Sequence, residues 1–147
     1  MGDPLHLEAR VTRKIFVSPE LVFDAWLSPE LIRKWFAPGM GEMVRVDVEA
    51  RAGGKFSFVQ RRGGEDVEHT GEYLMLERPT HLEFTWGVPK HSPDMSRVRI
   101  TFTPVENGCE VSLVHELNPN WANYVSRTEG AWTKMLDAMA VAVEKRS

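Results

Sequence analysis

The chain has 147 residues, the size of one domain that buries roughly two thirds of its unfolded surface in a single core. Hydrophobic residues make up 42% and charged residues 27%, ordinary values for a soluble globular protein that suggest neither disorder nor membrane insertion, and a formal charge of −3 without a basic face or tail argues against nucleic acid. One cysteine (Cys109) allows no internal disulfide, no glycosylation sequon or signal-peptide pattern is present, and no run approaches the roughly 20 apolar residues of a membrane span, so a cytoplasmic location is expected.

From Leu7 to Val17, the residues Leu7, Ala9, Val11, Ile15 and Val17 alternate with polar neighbours, the pattern of a strand with one buried face; Arg13 interrupts the apolar side and Phe16 the other. Ser18-Pro19-Glu20 then supplies an N-cap, a first-turn proline and an acid near the positive helix end. Ser28-Pro29-Glu30 repeats the signal, so two short helices follow one another and stop at Pro38 and Gly39.

Strands come next. Val44, Val46 and Val48 alternate, as do Phe56 and Phe58, with Gly53-Gly54 between the two runs and Gly63-Gly64 after them as hairpin signals. A run from Val67 to Glu77 stops at Arg78-Pro79-Thr80, and its segment Tyr73-Leu74-Met75-Leu76 has no clean alternation. Leu82, Phe84 and Trp86 alternate before a loop with Pro89 and Pro93. Val98, Ile100 and Phe102, the turn Glu106-Asn107-Gly108, then Val111, Leu113 and His115 complete the series, which Asn118-Pro119-Asn120 closes.

A last helix is expected from near Tyr124 to Lys145, with Trp132, Met135, Leu136, Met139 and Val143 on one face. At about 1.5 Å per residue it is roughly 30 Å long, enough to cross a curved sheet. The expected fold class is α+β in a single domain, 1–147: a curved seven-stranded antiparallel sheet wrapped around a long C-terminal helix, with two short helices between the first and second strands.

The segments SPELVFDAWLSPELIRKWFAPG, RAGGKFSF, HTGEYLMLERPTHLEFTWG, SRVRITFTP, ENGCEVSLVHE and EGAWTKMLDAMAVAVE occur in an order that resembles the Hsp90 ATPase activator homologue 1-like family. That family belongs to the START-related helix-grip superfamily, also labelled SRPBCC or polyketide cyclase-like. The resemblance implies a cavity between helix and sheet that takes a hydrophobic small molecule, and no common reaction. Its members look like ligand carriers, cyclases or aromatases, toxin-binding resistance proteins, or partners of the Hsp90 chaperone. Two departures from the family pattern are Gly130-Ala131-Trp132, where Gly-Trp is usual, and Cys109, where Thr is usual; each either changes the cavity mouth or changes nothing.

The expected wall comprises Phe56, Phe58, Phe84, Trp86, Val98, Ile100, Val111 and Leu113 on the sheet, and Trp132, Met135, Leu136 and Met139 on the helix. Trp35 and Phe36 close one end. The competing expectation is a closed core in which Met135 and Met139 fill the gap. His115 ends an apolar stripe, so its imidazole either meets a ligand as a hydrogen-bonding or general-base group, with Tyr73 as a second candidate, or bonds a neighbouring group.

Cys109 lies about 20 Å along the strand from His115, too far for a nucleophile and base pair. Asp66, Glu68 and His69 sit together with Glu65, but neighbouring strand residues face opposite ways and no metal-ligand spacing is present. Gly39-Met40-Gly41 lacks the third glycine and the preceding strand of a dinucleotide fingerprint, so no metal or cofactor is expected. Arg61 and Arg62, like Lys90 and His91, either bind an anion or an acidic protein group or are simply solvated.

Binding of an apolar or aromatic small molecule is therefore the leading expectation, followed by a cyclase-type reaction using His115, then a chaperone-partner role resting on the family alone. An exposed edge strand permits a homodimer without requiring one.

Overall fold

The computed structural model describes residues 7–90 and 95–146; His91 and Pro93 lie outside them. Strand β1 (Leu7–Ile15) stops two residues before the alternation does, and Val17 is buried in the connection to α1 (Pro19–Ala25). Helix α2 (Pro29–Trp35) follows directly. Both helices start as their Ser-Pro-Glu signals imply: the Ser18 and Ser28 hydroxyls accept from the Leu21 and Leu31 amides at 3.4 and 3.3 Å. Trp35 Nε1 donates to the Ala25 carbonyl at 2.9 Å and ties the pair together.

Six strands follow: β2 (Glu42–Val48), β3 (Lys55–Arg62), β4 (Glu65–Glu77), β5 (His81–Trp86), β6 (Ser96–Val105) and β7 (Gly108–Leu117). They form an antiparallel meander, and β1 pairs with β7, so the order across the sheet is β1-β7-β6-β5-β4-β3-β2. A 3-10 turn, Pro119–Tyr124, leads into the long helix α3 (Val125–Arg146).

Two bulges interrupt the strict alternation. Between Tyr73 and Met75 the pairing with β5 shifts, leaving Leu74 as the extra residue, 41% exposed, while Tyr73 is buried. Between Met43 and Arg45 the register with β3 shifts likewise, so Val44 faces outward, 42% exposed, although Val46 is buried. The three valines of β2 therefore do not share one face. Beside the first bulge, β4 and β5 approach closely at Gly71, where a Cβ would lie 1.8 Å from the Thr85 carbonyl oxygen.

Helix α3 packs against β1 and α2 through Trp132, Leu136, Met139 and Val143, all buried. Arg13, the interruption in β1, reaches across to this helix, with Nε 2.9 Å from Asp137 Oδ1. Between helix and sheet lies an aromatic core: the Trp26 ring is 5.1 Å from Trp35 and 5.8 Å from Trp132, and Phe56 is 4.9 Å from Phe58 and 5.6 Å from Phe84. Among the described residues, no helix is long and apolar enough to cross a membrane.

Candidate functional site: a cavity at one end of the long helix

The core does not fill the whole space between α3 and the sheet. A cavity of about 830 Å³ lies beside the N-terminal half of α3, against the loop after α2 and the ends of β3, β5 and β7. Phe36, Trp86, Leu117, Trp132 and Met135 supply apolar wall, and the exposed Met40 and Tyr124 stand at its mouth. Gly130 and Ala131 border the open space with little or no side chain, and a Cβ built at Gly130 would meet nothing within 4 Å.

Of the residues expected to form the wall, Phe36, Trp86, His115, Trp132 and Met135 line this cavity. Trp35, Phe56, Phe58, Phe84, Val98 and Ile100, together with Val111, Leu113, Leu136 and Met139, are buried in the core away from it. Met139 fills the interior as the closed-core expectation had it, whereas Met135 borders the open space. Tyr73 is also a core residue, packed on Phe56 at 5.3 Å, and burial pushes its phenol well above the ordinary value.

His115 is 4% exposed and held at both ring nitrogens. Trp132 Nε1 donates to His115 Nδ1 at 3.0 Å. An indole N–H can only donate, so Nδ1 carries the lone pair and the neutral ring bears its proton on Nε2. That Nε2–H donates to Ser96 Oγ at 2.6 Å, and the Ser96 hydroxyl donates to the Trp86 carbonyl at 3.0 Å. The chain of bonds runs in one direction from α3 through β7 to β6 and β5, and every member is satisfied. Burial lowers the imidazole pKa from 6.5 to about 4, so the ring is neutral at physiological pH. A general base needs a free lone pair, and the one on this histidine is occupied by Trp132.

Several lining residues escape a search for apolar stripes. Phe56, Phe58, Gln60 and Arg62 alternate along β3, and the inward face continues through its polar end: Gln60 is 1% exposed and Arg62 lines the cavity. Gln60 Nε2 donates to the Ala37 and Gly41 carbonyls, both at 3.1 Å, which pins the loop after α2. Its Oε1 accepts from Arg62 Nε at 2.7 Å. Arg61 points the other way and pairs with Asp66 at 2.9 Å. Extending the alternation by two positions separates the two arginines without any structure.

His69 is the register partner of Phe58 and therefore shares its face, with its ring 5.0 Å from Phe36 and 5.2 Å from Trp86 at the cavity wall. Glu68, its neighbour, is held on the outer face by Ser57 at 2.5 Å. The acidic and histidine side chains of this segment thus diverge, and among the described residues no three His, Cys, Asp or Glu groups are placed to share a metal ion. Lys90 pairs with Glu65. Cys109 is buried at the start of β7, and burial pushes its thiol up to about 11, which removes it as a nucleophile.

Solved structures of similar architecture come from several bacteria. A protein from Chromobacterium violaceum is 26% identical, with a TM-score of 0.80 over 97% of this chain and 99% of that one. One from Nitrosomonas europaea is 20% identical, with a TM-score of 0.83 over 100% and 99%. An AHSA1-like protein from Aeromonas hydrophila is 22% identical, with a TM-score of 0.81 over 95% and 94%. No curated protein matches the sequence. The model of one family, described as Activator of Hsp90 ATPase homolog 1-like protein, matches residues 17–144, and the chain belongs to that family.

Proposed function

We propose that the protein binds an apolar or aromatic small molecule in the cavity beside the N-terminal half of α3 and holds it without transforming it. The observation that carries this reading is a space of about 830 Å³ bordered by Phe36, Trp86, Trp132 and Met135. That volume lies in the range of small-molecule sites, which are mainly apolar with a few oriented polar groups. Trp86, half-buried at the wall, offers an aromatic surface for contact.

The commitment of both His115 nitrogens to Ser96 and Trp132 favours binding over an acid-base reaction: His115 lines the cavity but has no free lone pair to offer, and Tyr73 lies in the core away from it. The test uses N-phenyl-1-naphthylamine, an uncharged aromatic probe whose emission rises in apolar surroundings. Saturable binding with quenching of tryptophan emission is expected, and Ala131→Trp, which places an indole in the cavity from an exposed helix position, should abolish it while the circular dichroism spectrum is retained. Absence of saturable binding, or binding indifferent to Ala131→Trp, contradicts the reading.

A further inference from the structure

We propose that the ligand of this cavity is an organic anion: an apolar body with a carboxylate head that pairs with Arg62. The inference rests on the binding reading above and names the chemical class of the molecule bound.

The charge distribution is the first observation. The chain has 21 acidic and 18 basic residues, yet Arg62, Arg127 and Lys134 line the cavity and no Asp or Glu does so among the described residues. Arg127 and Lys134 are seven positions apart on α3, with Gly130 and Ala131 between them, so they lie on the helix face that borders the opening. Arg62 stands opposite, at the end of β3. Positive charge therefore flanks an apolar space from two sides.

The second observation is how Arg62 is held. Elsewhere on the surface arginines meet carboxylates: Arg61 with Asp66, Arg78 with Asp24, Arg97 with Glu83, Arg13 with Asp137. Arg62 instead donates through Nε to the amide oxygen of Gln60, a neutral acceptor. Gln60 is buried and its amide nitrogen is committed to two backbone carbonyls, so its oxygen cannot turn away. The guanidinium is thus oriented by a rigid partner but, among the described residues, forms no ion pair. Its partial burial, without a compensating acid, pushes its pKa down. The bond at Nε leaves the Nη donors for a second group, and their planar fork suits the two oxygens of a carboxylate.

A matched pair of probes isolates the head group. 4-(1-Pyrenyl)butyrate, ionised at neutral pH, and 4-(1-pyrenyl)butanol share one aromatic body and differ in charge. Affinities for both are measured by tryptophan quenching at low salt. The protein should prefer the anion by about 10-fold or more, the range of a charge-assisted hydrogen bond, and Arg62→Met should bring the ratio of the two affinities close to one. A merely structural role for Arg62 lowers both affinities and leaves the ratio unchanged, which overturns the inference, as does equal binding of the two probes by the unsubstituted protein. Equal binding that Ala131→Trp abolishes leaves the cavity reading standing and removes only the anion. Binding of neither probe overturns both.

Discussion

Acidification should destabilise the fold through His115. In the folded chain burial holds the imidazole at about 4, against 6.5 for an ordinary histidine. Above pH 6.5 the ring is neutral whether the chain is folded or not, and this residue adds no pH dependence. Between 6.5 and 4 the unfolded chain takes up a proton that the folded chain refuses, so stability falls as the pH falls. Below about 4 both states are protonated and the loss is complete. A gap of about two and a half pH units corresponds to about 3 kcal/mol, a large part of the 5–15 kcal/mol typical of a domain. The geometry gives the same sign, since a proton on Nδ1 would face the Trp132 N–H with no acceptor between them. Carboxylates also titrate in this range, so the assay compares the protein with His115→Gln, which cannot titrate there. Urea unfolding from pH 7.5 to 4 should show the unsubstituted protein losing about 3 kcal/mol relative to the variant. A difference between the two that stays constant, or that grows in favour of the unsubstituted protein in acid, refutes the reasoning.

Trp132 and Trp26 are both buried, but Trp132 donates to His115 whereas Trp26 Nε1 has no hydrogen-bond partner among the described residues. Both Phe substitutions remove similar volume, so Trp132→Phe should cost about 1–3 kcal/mol more than Trp26→Phe in urea unfolding; equal costs would remove the hydrogen bond from the account. Gly71→Ala forces apart β4 and β5, where the new Cβ would meet Thr85 O at 1.8 Å, and should cost about 3 kcal/mol. Gly63→Ala, at φ +58 with nothing within 4 Å, should cost only about 1–2 kcal/mol, and calorimetry of the two variants checks the order. The buried Cys109 thiol, raised to about 11, should react with iodoacetamide at pH 8 only as fast as the chain unfolds; rapid alkylation of the native protein would contradict its placement.

The fold is legible where local rules act alone. Ser18 and Ser28 cap their helices through the hydroxyl-to-amide bonds that Ser-Pro-Glu implies, and Gly53-Gly54 and Gly63-Gly64 separate β2, β3 and β4 as hairpin signals should. Leu74 and Val44 are the exceptions, because a bulge moves one residue out of register: the apolar run Tyr73-Leu74-Met75-Leu76 signals the first without saying which residue is extra, and nothing in the side chains around Val44 announces the second.

The candidate site is legible only in part, for a different reason. Alternation tells which face Phe84 or Val98 looks toward, but how far along the helix the cavity begins depends on how the rings of Trp26, Trp35 and Phe56 pack. The state of His115 depends on Ser96 and Trp132, which lie 19 and 17 positions away and join it only once the sheet and helix have formed. Arg62 was within reach of the pattern, since Phe56, Phe58 and Gln60 lead to it two residues at a time, yet its charge argued for solvent when weighed alone.

The most direct test of the central claim is a crystal structure of the protein grown with 4-(1-pyrenyl)butyrate. Binding predicts density for the ring system in the cavity, against Trp86 and the N-terminal turns of α3, with the carboxylate toward Arg62 and the His115 bonds to Ser96 and Trp132 intact. A cavity collapsed onto Met135 and Tyr124, with the probe absent or lodged elsewhere on the surface, would contradict the account.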